Sequence, residues 1–361
     1  MPSLSDLNDF VELNIGTFRK GVWDYIGLAQ LYPTLEALAQ LVPRKQSASN
    51  YEATIVYQTE TDSGGHGAKP GDPVQPTNKK NALRRKIKLV KYVDSIGWTL
   101  DQDTLQGKSD EYIVKQIQMD LVDFDLHFWQ DLEHMLLRIP DNIIPADDET
   151  MFGFPAWVTA ANGGDADFAL YGGDDPYSGG RPGGISIATQ PKYTNPTAAF
   201  SSISDDDFFD KLETFLIHRK LMGAVANPRL LPDTPNDVAY TNSAIERGCQ
   251  RYMQASNQDT GMDAGRYRGK PMYKNVPIVT WHASSHPDSP VADTTGVVRV
   301  IDWNSFEYIV QPEYDRKISS VLDMPLVPSG KYITSELWHQ LACNRPDRNF
   351  HMSTATPALQ P

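Results

Sequence analysis

A proline-free helical pattern from about Thr104 to Arg138 constrains this chain more than any other stretch, because at 1.5 Å per residue it would extend roughly 50 Å. Within it Ile113, Ile117, Leu121, Phe124, Phe128, Leu132, Met135 and Ile139 recur every three or four residues. That spacing makes one continuous apolar stripe, which a sheet or another helix must cover. Just before it, residues 51–60 (YEATIVYQTE) and 83–100 (LRRKIKLVKYVDSIGWTL) read as two strands. The Gly/Pro-rich GGHGAKPGDPVQP between them suits neither helix nor strand. A two-stranded ribbon with such a tip is marginal in water and gains by lying on a neighbour.

Charge follows the same division. Lys79, Lys80, Arg84, Arg85, Lys86, Lys88 and Lys91 cluster on the second hairpin strand, whereas Asp120, Asp123, Asp125, Asp131 and Glu133 load the helix. Opposed patches of this kind can meet across a head-to-tail interface between subunits. The same residues can equally serve as two solvated faces. The net charge of −13 repels nucleic acid at long range and argues against a surface dedicated to sequence-specific DNA binding. Cys249 and Cys343 lie far apart and form no CxxC pair, so neither a disulfide framework nor a zinc site is implied and a reducing compartment fits. The opening MPSLSDLNDFVELNIG is acidic where a secretory signal would be basic, and no later apolar run approaches the roughly 20 residues needed to span a bilayer. The expectation is a soluble protein with no membrane partner, cytoplasmic at synthesis.

The first 50 residues hold helical candidates at 22–31 and 34–41, bracketed by Pro33 and Pro43, and read as an arm. Residues 140–200, with GFPAW, NGGDAD, YGGDDPYSGGRPGG and PKYTNPT, read as turns and loops. Ser204 is placed to cap a following helix, with Asp205 to Asp207 suiting its positive end. DVAYTN then reads as a strand, SAIERGCQRYMQAS as a helix and PMYKNVPIVTW as a strand pair. VVRVIDW, FEYIVQP and YITSELWHQLAC return to strand-like alternation. Helices mixed with mostly antiparallel strands indicate an α+β fold.

Catalytic motifs are sparse. GGDD at 172–175 resembles a magnesium-binding aspartate pair but lies among Gly and Pro, where a loop is expected. His127, Asp131 and His134 fall on one helical flank and could present metal ligands, or simply line a polar helix edge. His282 and His286 have no nearby Glu, and GRYRGKP at 265–271 is one residue short of a phosphate loop and has Pro271 where a hydroxyl is needed. With no GxSxG and no GxGxxG after a strand, no catalytic, cofactor-binding or metal residue is assigned and an enzyme is disfavoured.

Taken in order, the segments resemble the major capsid proteins of tailed bacteriophages with the Hong Kong 97-type fold. The resemblance is carried by the hairpin at 51–100, the helix at 104–139, GFPAW at 153–157 and PKYTNPTAAFSSISDDDFFDKL. It continues through DVAYTNSAIERGCQRYM, GRYRGKPMYKNVPIVTW, IDWNSFEYIV and ITSELWHQLACNRPDRNFHM. It implies an N-terminal arm at 1–50, an extended hairpin loop at 51–100, a peripheral domain with a long spine helix at 101–145 and 300–361, and an axial domain at 146–299. It further implies a structural, cofactor-free subunit that forms hexamers and pentamers of an icosahedral shell enclosing double-stranded DNA. Such a subunit sits in the virion, reaches it from the host cytoplasm through a maturing procapsid, and has scaffolding, portal and decoration proteins as partners. The short arm points to a separate scaffolding protein. Two other readings stand beside it: an encapsulin-type compartment of the same fold, and a metal-dependent nucleic-acid enzyme using GGDD or the His127 cluster. Under the capsid reading the inter-subunit contacts fall on Lys79, Lys80, Arg84, Arg85, Lys86, Lys88, Lys91, Asp120, Asp123, Asp131 and Glu133.

Overall fold

The computed structural model describes parts of 34–46 together with residues 52–58, 82–99, 110–141, 150–161, 167–221, 237–256, 271–281, 296–325 and 330–354, with gaps at single positions. The arm candidate at 22–31, Lys79 and Lys80, the hairpin tip, His282, His286 and residues 265–270 of the GRYRGKP segment lie outside these residues.

Helix α1 runs Asp110–Leu137, 28 residues, or about 42 Å. Its periodicity is used as expected: Leu121, Phe124, Phe128, Leu132 and Leu136 are buried, while Val122, Asp123 and His127 face outward. The stripe stops sooner than the sequence suggests, since Ile139 lies past the helix and is 44% exposed. One further acid is drawn inside. Asp125 pairs with buried Arg316, whose guanidinium carbon lies 4.3 Å from the Phe128 ring centroid and 5.2 Å from that of Trp129.

Two six-stranded sheets and one ribbon make up the β structure. The first sheet contains β1 (Arg44–Gln46), β4 (Val90–Thr99), β10 (Phe306–Val310), β11 (Lys317–Ile318), β12 (Leu322–Asp323) and β13 (Gly330–Cys343). The second contains β5 (Thr197–Phe200), β6 (Asp237–Thr241), β7 (Met272–Tyr273), β8 (Val276–Thr280), β9 (Val297–Asp302) and β14 (Phe350–Thr354), in the order β5-β14-β9-β6-β8-β7. The ribbon joins β2 (Glu52–Gln58) to β3 (Ala82–Lys88). The stretch 83–100, expected as one hairpin strand, is therefore two strands with different partners. Leu89 and Val90 are both buried, so the inward phase shifts from odd to even positions there, and β4 leaves the ribbon to pair along its whole length with β13. Phe350–Thr354, grouped by sequence with the first sheet's C-terminal portion, pairs with β5 and β9 in the second.

The second sheet is buried on both faces. Ala239, Ile278, Val298, Val300 and Phe350 meet a layer built by a π-helical turn (Asp205–Phe209), α3 (Asp210–Leu221) and α4 (Ser243–Ser256). Their sequence neighbours Val238, Tyr240, Val279 and Ile301 point the other way, into the core shared with α1 and the first sheet. Ser204 does not cap by its side chain. The Asp207 carboxylate instead accepts the N–H groups of Ser201 (2.7 Å) and Ser202 (2.8 Å), and the Ser204 carbonyl accepts from Phe209 N, which opens the helix as a π turn.

GFPAW forms the short helix α2 (Phe154–Trp157), wholly buried where the layers meet. The Phe154 ring lies edge-on to Trp303 (5.2 Å between centroids) and Phe306 (5.4 Å), and also packs on Trp281 (5.9 Å) and Tyr240 (6.5 Å). Gly153 places this helix against the end of α1: its N–H donates to the Arg138 carbonyl, and a Cβ there would stand 2.5 Å from the carbonyl oxygens of Leu136 and Arg138. Next to α2 the loop segment is fastened by Arg181, which is fully buried. Its guanidinium donates to the Trp157 carbonyl (2.7 Å), Thr159 Oγ1 (2.9 Å), the Asp174 carbonyl (3.1 Å) and Asn195 Oδ1 (3.1 Å). Burial lowers its pKa to about 10, which leaves it charged at neutral pH.

Two outcomes test this account of the core. Gly153→Ala should cost roughly 1–3 kcal/mol, because backbone oxygens cannot rotate away from the new methyl; an unchanged denaturation midpoint would contradict the close approach. Arg181→Met strands several buried acceptors and should cost about 3–5 kcal/mol, with Arg181→Lys intermediate because an ammonium cannot span four acceptors. Equal urea midpoints for wild type and Arg181→Met would rule out the fastening role.

Candidate assembly surfaces

The ribbon is half seated and half free. Ala53, Ile55, Tyr57 and Ile87 are buried against the body, as strand alternation requires, while Thr54, Val56 and Arg84 turn outward. Tyr57 holds the seat. Its hydroxyl donates to the Pro182 carbonyl (3.3 Å), and its ring stands edge-on to Tyr193 at 4.7 Å. Burial pushes the Tyr57 hydroxyl well above the usual phenol range, so it stays a donor. Gly183, at φ +84°, passes beneath it, and a Cβ at that position would come within 2.7 Å of the Tyr57 hydroxyl. Only glycine meets both requirements.

The structure divides the basic residues of the sequence into three kinds. Arg84, Arg85 and Lys88 are exposed on β3 and make no ion pair among the described residues. Lys86 pairs with Glu52 at 2.8 Å across the ribbon, an exposed contact of small energetic weight. Lys91 is on a different surface: on the solvent face of β4 it bonds Glu336 at 3.0 Å and lies 5.9 Å from the Trp338 ring centroid.

The acidic residues separate as well. Asp123 is exposed and Asp120 half-buried on the outer flank of α1. Asp131 accepts the Tyr92 hydroxyl at 2.8 Å, which ties α1 to β4. Glu133 never reaches the surface: it is 1% exposed, and its carboxylate accepts Thr34 Oγ1 and the Leu35 N–H (3.2 Å). Among the described residues no ion pair joins β3 to α1.

The groups considered for metal chemistry have structural duties. In GGDD the Asp174 carbonyl accepts from Arg181 and from Thr159 Oγ1, and its side chain accepts the Asp175 N–H at 2.8 Å. Along α1, His127 is exposed and Asp131 is held by Tyr92. Among the described residues no group of three His, Cys, Asp or Glu side chains is arranged to hold a metal ion.

Sequence reasoning did not identify the paired crossings between the sheets. The chain passes from β9 to β10 through a turn at Trp303–Ser305 and from β13 to β14 through one at Pro346–Arg348. Asp302 links them by pairing with Arg348 (2.6 Å) and accepting the Asn304 N–H (3.1 Å). Asn349 accepts the Asp302 N–H at 2.8 Å and donates to Ser305 Oγ (3.0 Å) and the Arg345 carbonyl (3.2 Å). The Asp in IDWNS and the Asn in NRPDRNF were the available signals, since both residue types close local turns.

No family model matches the chain, and no curated protein matches it. Solved structures do. The chain is similar to one in the capsid asymmetric unit of cyanophage A-1(L), with 12% identity, a TM-score of 0.57, and coverage of 88% of this chain and 91% of that one. It is also similar to a chain of the capsid of a native GTA particle, with 12% identity, a TM-score of 0.52, and coverage of 89% and 90%. A likeness over 88–89% of this chain at such low identity speaks for architecture, and the architecture is the α+β, Hong Kong 97-type capsid fold that the order of the sequence segments implied.

Proposed function

We propose that this chain is the major capsid protein of a tailed phage, assembling as hexamers and pentamers into an icosahedral shell around double-stranded DNA. The observation that carries the reading is the two-way match to a cyanophage capsid chain, which covers 88% of this chain and 91% of that one. In this reading α1 with the first sheet forms the peripheral domain. The second sheet with α3 and α4 forms the axial domain, to which β14 belongs by its pairing. The role is structural. Its partners are further copies of itself, a scaffolding protein, a portal protein and a decoration protein, and its location is the virion after assembly in the host cytoplasm.

The ribbon supplies the inter-subunit contact. Its base is locked to the body by Tyr57, and Arg84, Arg85 and Lys88, which make no ion pair among the described residues, would meet the acidic flank of a neighbour's α1 at Asp120 and Asp123, Lys79 and Lys80 adding to the same basic charge in sequence. Lys86, Lys91 and Asp131, already engaged within the chain, contribute less, and Glu133 contributes nothing. The net charge of −13 keeps packaged DNA from adhering to the wall.

Shortening the tip between Gly64 and Pro76 should abolish closed particles while the subunit stays folded by circular dichroism. Reversing Arg84 and Lys88 together to Glu should lower particle yield with a change in subunit stability within about 0.5 kcal/mol, as for exposed positions generally. Normal shells from the tip deletion, sized by electron microscopy, would overturn the assignment of the contact to the ribbon.

A further inference from the structure

The helix layer over the second sheet carries a row of each sign. Asp205, Asp206, Asp207, Asp210 and Glu213 follow one another through the π-helical turn and α3, and three of these acids are engaged within the chain. Asp207 holds Lys211 at 2.6 Å and accepts the N–H groups of Ser201 and Ser202. Glu213 pairs with Lys274 and accepts the Tyr273 hydroxyl (3.1 Å), and the Asp205 N–H donates to the Tyr252 hydroxyl (3.1 Å). Asp206 and Asp210 are different. Both are exposed, they lie four residues apart, and neither makes an ion pair among the described residues.

On α4 the sign is reversed. Ile245, Cys249 and Met253 point into the core, which leaves Ala244, Arg247, Arg251 and Gln254 on the outward flank. Arg247 and Arg251 are also exposed, four residues apart and without an ion pair among the described residues. The positive end of a helix suits Asp206 and Asp210, but neither arginine lies in the last turn of α4, where its dipole would favour a cation. Like charges four apart on one helix repel each other. Each row therefore gains from a row of opposite sign at the same spacing, and among the described residues no ion pair joins the two within the chain. Ile217, 51% exposed on the same flank of α3 as Asp210, and the exposed Ala244 add apolar surface beside the charges.

We propose that Asp206 and Asp210 of one subunit dock on Arg247 and Arg251 of a second copy, so that every copy offers its α3 to one neighbour and receives another neighbour's α3 on its α4. The two surfaces that meet are different, which makes the contact heterologous, and heterologous contacts repeat around a ring. It is a second contact, independent of the ribbon. The inference rests on the capsid reading, which supplies the further copy as the partner.

The test is reversal of charge in the full-length protein, with association read by sedimentation velocity and folding by circular dichroism. Asp210→Arg and Arg251→Asp should each fold as the wild type does. Each sets like charge against like, so each should raise the concentration needed for association roughly tenfold or more, by a margin that shrinks as salt screens the contact. The variant carrying both reversals should associate as the wild type does. Mixing the two single variants in equal amounts should also restore association in part, because the reversed α3 of one then faces the reversed α4 of the other. Wild-type association by either single variant would overturn the contact and leave the capsid reading standing. Recovery in the doubly reversed chain without recovery on mixing would assign the charges to a pairing inside one chain and overturn it equally. A wild type that stays monomeric at every concentration would remove the capsid reading and this contact together. Should Asp210→Arg not fold, Asp206→Arg takes its place in the same set.

Discussion

The Phe154 ring is the contact on which the architecture depends. It touches Trp303 and Phe306 at the crossing between the sheets, and Tyr240 and Trp281 on strands of the second sheet, while Gly153 presses its short helix onto the carbonyls that end α1. Truncating one buried aromatic of this kind typically costs about 3–5 kcal/mol. Here the loss would loosen three layers at once, because Phe154 reaches both sheets from the segment after the long helix, with Trp303 packed against the same Tyr240 and Phe306. The twofold crossing beside it explains why the junction is stiff. Asp302, Arg348 and Asn349 tie the two connections to each other, so the sheets are joined at a double hinge.

A polar layer surrounds this aromatic centre, and each part of it fastens a segment that lacks regular structure. Arg181 holds the loops between α2 and β5, Tyr57 holds the ribbon to the Pro182 turn, and Glu133 holds the arm. The energetic logic is common to all three. Irregular backbone buries little apolar surface of its own and must be fixed by hydrogen bonds made where water is excluded. The proposed shell role needs a rigid body, and each of these three segments is held to it by hydrogen bonds.

Much of this was legible in the sequence, and the failures have physical causes. The 3.6-residue stripe of α1 and the strands β6, β9 and β13 depend on local spacing, so reading them required no knowledge of partners, whereas GFPAW, read among turns and loops, forms a short helix where the layers meet. The break at Leu89 was written in the chain as two adjacent buried residues, which shift the strand's phase, but its meaning depends on β13, some 240 residues later. Ser204 looked like a helix cap, and Asp207 took the competing hydrogen bonds. Glu133 and Asp125 were indistinguishable from the solvated acids beside them. One is bonded by Thr34 and Leu35, 99 and 98 residues earlier, and the other pairs with Arg316, 191 residues later.

Electron microscopy of the purified protein, expressed with and without its neighbouring reading frames, tests the central claim most directly. The account predicts closed hollow particles of uniform size. A stable monomer or dimer under both conditions would contradict it and leave a capsid fold in search of another use.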